Sequence, residues 1–432
     1  MTTTQDAALS SPTADHIIPE YGETPPIDRE NFPPQAQQTI ENEINEGHND
    51  RLRIEWLPDG RVKLHATSYV GIVSLPGGLT IEIRPKLEET NLLAVLQYSQ
   101  GIRAETIEQE TAISHGNEFI HALATLFESE LADVIQRGLA SEYRRHSDTE
   151  DHVRGRIAVQ RQLQRHGPQP TQFECTYDTL TEDTTLNQGI LYATDVLLRL
   201  VGDHLVSKSL QRHKQVLQRV ATLRPVRPVE LDGIELSRLA EYYEDLFRLT
   251  KLVLRGVYAE DLTTGFRASF SLLVNMNAIF ESVIERALSE VYASTSVAVQ
   301  SQVTKRDLFW NGARPIQIRP DVLALVSGNP LFVGDAKWKR DTEQSREPSN
   351  DDLYQMLSYQ VAYDVPGVLF YPEQNERVES VYKSQYDHDV HLVEVPTTAD
   401  PDLSYSETVQ KTLADNLPRD PPTHPDDLES DF

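Results

Sequence analysis

Cysteine, lysine and long apolar runs are what this sequence has least of. Its 432 residues include one cysteine, Cys175. That excludes an intramolecular disulfide framework and makes a reducing cytoplasm the expected compartment. The plainest role for the thiol is a small core side chain. No stretch approaches the roughly 20 apolar residues that a membrane-spanning helix needs, so no membrane partner is expected. The amino-terminal MTTTQDAALSSPTADHIIPE has neither the basic start nor the apolar run of a signal peptide. No G-x-x-x-x-G-K-[ST] loop is present, which excludes a P-loop motor within this chain. The 13 histidines show no H-E-x-x-H and no paired zinc spacing, which argues against a zinc enzyme.

Acid, by contrast, is abundant, and the net charge is −27. Residues 1–50 hold ten acids and one base (−9), and residues 399–432 hold nine acids and two bases (−7). The two ends thus carry −16, leaving −11 for residues 51–398. Among the basic residues, 10 are Lys and 30 are Arg. An acidic, lysine-poor surface of this halophile-like kind suits a salt-rich cytoplasm, where self-repulsion is screened over short distances.

Along the chain, residues 1–48 are rich in Pro, Thr, Glu and Gln and read as a disordered acidic tail. Order is expected to begin near Arg51. RIEWLPDGRVKLHA alternates apolar and polar residues around Pro58-Asp59-Gly60, and VGIVSLPGGLTIEIRPKL does so around Pro76-Gly77-Gly78. Both are hairpin patterns. They predict a small antiparallel sheet over 51–87, within an amino-terminal β domain spanning 49–100. A mainly helical middle domain is expected over 101–265. EFIHALATLFESELADVIQRGL, LNQGILYATDVLLRLV and RLAEYYEDLFRLTKLVLRGVY each repeat apolar residues at three- and four-residue spacing. Between the first two lies a polar stretch with seven arginines from Arg137 to Arg165, against four acids. It reads either as a surface for phosphate or a partner protein, through Arg144, Arg145, Arg154 and Arg156, or as a solvated helical face. From 266 to 398 the order is helix, strands, helix, strands, which predicts a mixed sheet flanked by helices. Residues 399–432 read as a second acidic, disordered tail. The fold class is therefore multi-domain α/β.

The segment that carries chemistry is RPDVLALVSGNPLFVGDAKWK. Two apolar runs flank Ser-Gly-Asn-Pro, which predicts a hairpin. Asp335 and Lys337 lie two apart, so a strand puts both on one face. That face would otherwise be apolar, and charges there need partners or a metal. In a hairpin whose paired positions centre on Gly328, Asp321 lies opposite Asp335 and shares its face. An even four-residue loop would set Asp321 against Ala336 instead, so the trio requires an odd loop or a bulge. Two close carboxylates repel, and Mg2+ (or Mn2+) relieves that repulsion with oxygen ligands. The metal can activate a water against a phosphodiester, while a neighbouring lysine stabilises the developing charge. On spacing alone, a structural Lys–Asp ion pair ranks ahead; the hairpin context and Pro320-Asp321 reverse that order.

Pro320-Asp321, followed after a hairpin by Asp335-Ala336-Lys337, resembles the PD-(D/E)XK nuclease motif. The resemblance implies a restriction-endonuclease-like α/β domain over 266–398. Gln355 and Tyr359 match a Q-x-x-x-Y spacing of the RecB-like branches and share a helical face. Gln355 is then expected in the catalytic set with Asp321, Asp335 and Lys337, and Tyr359 in support. Many members place an acidic metal ligand on the preceding helix, where Glu281 is the favoured match and Glu285 the alternative.

More widely, the chain resembles the McrC family of 5-methylcytosine-specific restriction systems. SYVGIVSLPGGLTIEIRPKL, HVRGRIAV, CTYDTLTEDTTLNQGILYAT, MNAIFE and DLYQMLSY carry the resemblance over most of residues 65–370. It implies a DNA endonuclease acting with an AAA+ GTPase of McrB type, which binds the methylated DNA and is stimulated by its partner. The amino-terminal sheet and the Arg-rich stretch are candidates for touching that motor. The acidic ends depart from the usual pattern and bear on DNA affinity at ordinary salt, not on the chemistry. Two other readings compete: a non-catalytic activator of an AAA+ NTPase, and a nuclease of DNA repair or RNA processing without a restriction partner.

Overall fold

Both expected hairpins form. Leu52–Trp56 pairs with Val62–Ala66, and Tyr69–Ser74 pairs with Thr80–Arg84, each antiparallel. They do not share one sheet. The first is a two-stranded ribbon, whereas the second joins a larger sheet with His16–Pro19 and Ser271–Asn275. The computed structural model describes residues 14–45, 50–86, 91–102, 118–165, 171–236, 238–258, 271–301, 306–309, 316–338, 348–373, 381–385 and 388–417.

Residues 14–45 are ordered, which corrects the expectation of a disordered tail over 1–48. His16–Pro19 runs parallel to Thr80–Arg84, and Pro34–Thr39 forms a helix that widens into a π-helical turn at Ile40–Ile44. The physical reason is a stripe of Phe32, Ala36, Ile40 and Ile44, recurring every four residues among prolines and glutamines. All four are buried against Leu52, Val62, Leu64 and Ile81. Polar composition hid an apolar face whose burial supplies the driving force for order. The other end behaves alike. Tyr405–Asn416 is a helix opened by a Ser404–Glu407 capping box, with Val409 and Leu413 buried. The disordered tail expected over 399–432 is therefore corrected up to Leu417, and its remainder lies outside the described residues.

The chain divides into two compact units, and their boundaries differ from the expected domains. Thr13–Leu123 and Tyr258–Phe432 make one unit, so the amino-terminal β region does not stand alone. Ala124–Val257 belongs to the other. That second unit is helical over Thr185–Leu200, His204–Leu217 and Glu244–Arg255. Its Arg-rich stretch is not a helical face, however. Glu142–Glu150 and Phe173–Thr181 pair antiparallel, Arg156–Ile157 adds to the latter, and only Val159–Arg165 is helical. EYRRHSDTE has no apolar side to alternate, so nothing in its pattern marked a strand. Cys175 sits in this sheet, fully buried as a core residue.

Within the first unit, the second sheet follows the order Val297–Ser301, Val322–Val326, Asn329–Ala336, Gly367–Pro372, Val390–Val395, Val381–Tyr382. The third, fourth and fifth of these strands run parallel, and the helix Asn350–Tyr363 makes the crossover between the third and fourth. Leu323, Val333, Leu369, Tyr371 and Leu392 share one buried face with Met356 and Tyr359 of that helix. The helix Met276–Val291 also packs on the strands Asn329–Ala336 and Val297–Ser301. The architecture is mixed α/β, as expected. No helix among the described residues is long and apolar enough to cross a membrane.

Gly71 shows how tightly the first sheet closes. It sits at φ +139°, and a Cβ there would lie 2.0 Å from the Leu272 carbonyl oxygen. Gly71→Ala should therefore cost ~1–3 kcal/mol or more, read as a fall in the thermal midpoint. An unchanged midpoint would contradict this close approach.

Candidate active site

The central hairpin turns through Ser327 and Gly328, whose φ angles are 52° and 84°. Positive φ at both positions is the type I′ geometry that matches strand twist. Beside the turn, Val326 faces Asn329 and Leu325 faces Pro330. The register then shifts, so that Ala324 faces Phe332 and Val322 faces Gly334. Carried on, this register sets Asp321 opposite Asp335. Of the two expected devices, an odd loop or a bulge, the chain uses the bulge.

Around that pairing the predicted residues converge. Asp335 continues the face of Val333 but is only 3% exposed. Its Oδ2 forms an ion pair with Lys337 Nζ. The same ammonium donates to Gln355 Oε1 at 2.9 Å. Gln355 Nε2 donates to the Tyr359 hydroxyl at 2.7 Å, and that hydroxyl donates to the Arg319 carbonyl at 3.2 Å. Asp321 Oδ2 accepts from the Ala336 amide at 2.8 Å, which ties it to the strand bearing Asp335. The Ser349-capped helix Asn350–Tyr363 supplies Gln355 and Tyr359 from one face, as the four-residue spacing requires. Asp321, Asp335, Lys337 and Gln355 open on a cavity of about 190 Å³, lined also by Tyr21, Asn277, Glu281 and Arg319.

The electrostatics are those of too many acids in too little water. Burial, then the charges of Asp335 and Glu281, push the Asp321 carboxyl up to about 7, against the Ala336 amide that lowers it. Burial also raises Asp335, more than Lys337 lowers it. Glu281 is raised by burial and then by Asp335. Burial alone would lower Lys337, yet Asp335, Asp352 and Asp321 hold it above the ordinary lysine range. The ammonium thus stays charged, while the carboxylates remain short of counter-charge.

That shortage is what a hard divalent cation relieves, and the all-oxygen donor set fits Mg2+ or Mn2+ rather than zinc. Asp321 and Asp335 are the pair that fits. Glu281 lines the same cavity, though the ligand atoms of the three acids do not all lie within 4.8 Å of one another. Among the described residues, only Glu23, Glu55 and His65 form an acid or histidine triplet with ligand atoms all within 4.8 Å. That surface triplet already has counter-charge in reach, since Lys63 pairs with Glu23, and His65 lies within contact of both glutamates.

Of the two acidic candidates on the helix Met276–Val291, Glu281 faces the cavity. Glu285 is exposed and accepts from Ser301 instead. The four candidate arginines do not join this constellation and lie in the other unit. Arg144 donates to the Asp183 carbonyl, Arg145 pairs with Asp178, and Arg154 lies over the Tyr177 ring. Arg156 is exposed on its short strand. Sequence reasoning missed Tyr21, Asn277, Arg319 and Asp352. Tyr21 fell in a segment expected to be disordered. Asp352, buried and bonded to the Tyr371 hydroxyl at 2.9 Å, carried no pattern of its own.

A protein-family model described as McrBC 5-methylcytosine restriction system component matches residues 64–372. Among curated proteins, none matches the chain. Among solved structures, one similar chain belongs to a refined half-complex of Thermococcus gammatolerans McrB AAA+ hexamers with bound McrC. It is 19% identical with a TM-score of 0.62, covering 93% of this chain and 99% of that one. A chain of the cryo-EM structure of the Thermococcus gammatolerans McrBC complex is 21% identical with a TM-score of 0.44, covering 65% and 89%.

The raised Asp321 carboxyl has a measurable consequence. Its folded value of about 7 lies above the ordinary 3.8, so the metal-free protein gains relative stability when this group is protonated. That gain is full below pH 4 and is lost as pH rises through 7. Asp321→Asn should therefore stabilise the metal-free protein at pH 8 by ~1–2 kcal/mol after screening, and by little at pH 4. Mg2+ should raise the wild-type midpoint at pH 8 and leave that of Asp321→Asn nearly unmoved. Equal midpoints for both proteins across this range would refute the carboxylate crowding.

Proposed function

The chain belongs to the McrBC 5-methylcytosine restriction system component family, and on that premise we propose that it is the subunit that cuts DNA. The reading is of a metal-dependent endonuclease of McrC type, with a PD-(D/E)XK core spanning Asp321, Asp335, Lys337 and Gln355. One observation carries it: Asp321 lies beside the unbroken chain of contacts from Asp335 through Lys337 and Gln355 to Tyr359, and the first four of these residues line one cavity. A degraded site kept only for scaffolding would have no reason to preserve that chain.

Asp321 and Asp335 would hold Mg2+ or Mn2+, with Glu281 as a further acid at the cavity wall. When bound, the metal would lower the pKa of a coordinated water and offset charge on the scissile phosphate. Lys337 keeps its proton at neutral pH, so Nζ can donate to the attacking water or to a phosphate oxygen as charge develops. Gln355 occupies one N–H of that ammonium and, braced by Tyr359, fixes the direction of those remaining. Asp335 holds the ammonium from the other side.

A cleaving subunit of this family would work with an AAA+ GTPase of McrB type. Two observations support this: the chain has no P-loop of its own, and a chain of similar fold comes from an assembly of McrB hexamers with bound McrC. Recognition of 5-methylcytosine would then fall to the partner, and the complex would act in the cytoplasm. The alternatives are a non-catalytic activator of the motor and a repair nuclease without a restriction partner. The intact constellation weighs against the first, and family membership weighs against the second.

The test uses the purified chain with its cognate AAA+ GTPase, GTP, Mg2+ and methylated duplex DNA. Asp335→Ala and Lys337→Ala should each lower cleavage by ~10²–10³-fold or more, and Gln355→Ala by ~10-fold. Stimulation of the partner's GTPase should survive all three changes. Variants that cut as fast as wild type would end the nuclease reading, and GTPase stimulation alone would favour the activator.

A further inference from the structure

The strand that carries Asp335 ends at Ala336, so Lys337 lies beyond its regular pairing. One backbone bond, from the Lys337 amide to the Phe370 carbonyl at 2.8 Å, holds it on the strand side. On the other side stands Trp338, 2% exposed, with its ring 5.4 Å from that of Phe280. Phe280 precedes Glu281 on its helix. Trp338 thus follows the lysine directly in the chain, packs on the helix of the third acid, and lines the same cavity as both.

Trp338 is held at both its polar ends by the amino-terminal sheet. Its indole N–H donates to Glu20 Oε1 at 2.8 Å, and its carbonyl accepts from Lys86 Nζ at 3.4 Å. Glu20 Oε1 also accepts from the Lys86 amide at 3.1 Å, and the Glu20 amide donates to the Arg84 carbonyl at 2.7 Å. The carboxyl group is thus a rivet between the end of the His16–Pro19 strand, the end of Thr80–Arg84, and Trp338.

This arrangement is costly, which argues that it serves something. Glu20 is 3% exposed, and its Oε2 has no hydrogen-bond partner among the described residues. Burial raises its carboxyl above the ordinary range. The next residue, Tyr21, adopts φ +60°, a left-handed conformation that bulky side chains rarely take, and its ring borders the cavity beneath Lys86 at 4.7 Å. Strained backbone beside a buried, half-satisfied acid is the pattern of a functional site rather than of plain packing.

We propose that Glu20 is a positioning residue for Lys337, acting through the Trp338 indole. The amino-terminal segment is in this view a wall of the nuclease site. Charge on Glu20 is not what the role needs: the acceptor at Oε1 is. Because the proposal rests on the nuclease reading, its test needs a readout that does not pass through DNA cleavage.

With the full chain, its cognate GTPase, methylated duplex and Mg2+, Glu20→Ala should slow single-turnover cutting ~10- to 100-fold at an unchanged half-saturating DNA concentration. Glu20→Gln keeps the acceptor and should recover most of that rate, even though its buried amide lowers the thermal midpoint. Trp338→Phe removes the donor and should match Glu20→Ala, and the double variant should be little slower than either. Acetylation of Lys337 by acetic anhydride, mapped by mass spectrometry on the chain alone, should speed up in Glu20→Ala and not in Glu20→Gln. A Glu20→Ala rate within about 3-fold of wild type, or equal losses in the Ala and Gln variants, would overturn the proposal. If no protein cuts DNA, the nuclease reading fails and the Lys337 acetylation pattern alone decides on Glu20.

Discussion

Two carboxylates facing each other across a bulged hairpin are the constraint on which the rest of this unit depends. Burial raises the carboxyls of both Asp321 and Asp335, the charge of Asp335 raises Asp321 further, and one ammonium is shared among them and Asp352. A fold does not keep such a group by default, since burying like charges costs stability that apolar residues would supply. Everything nearby limits that cost or aims it. The Ala336 amide holds Asp321, the Gln355–Tyr359 pair holds Lys337, and the sheet's apolar face closes beneath.

The bulge is the smallest device that makes this possible. A two-residue turn is the favoured connection between these strands, but without an extra residue it would place Asp321 across from Gly334. Side chains alternate faces with a period of two, so a slip by one residue would separate the pair completely. The chain keeps the tight turn and corrects the register one step later. Local turn chemistry and the geometry of the site thus pull in different directions, and the unpaired residue of the bulge settles the conflict.

The trio, its helix partners and the hairpin were legible because they rest on short-range rules: alternation in strands, four-residue spacing in helices, and charges on an otherwise apolar face. The choice between Glu281 and Glu285 was not, because one turn of helix changes direction by less than spacing can resolve. The ordered ends were misread for a different reason. Phe32, Ala36, Ile40 and Ile44 form a helical stripe that compositional averaging over 1–48 conceals. With that segment set aside as disordered, Glu20 and Tyr21 could not be placed near anything. Contacts spanning more than 300 residues of sequence, such as Glu20 with Trp338, have no local signature at all.

The overall charge bears on how such a site could meet a polyanion. At −27 the chain repels DNA at long range, and among the described residues the positive groups at the cavity are Lys337, Arg319 and nearby Lys86. Over a Debye length of roughly 8 Å at physiological salt, those few cations cannot offset the field of the whole chain. At ~1 M salt that length shrinks to ~3 Å, and the local cations then act almost alone. An acidic nuclease therefore works either in concentrated salt or where another subunit already holds the DNA. In the proposed complex the partner supplies that grip, so the cutting subunit has no need of a basic surface.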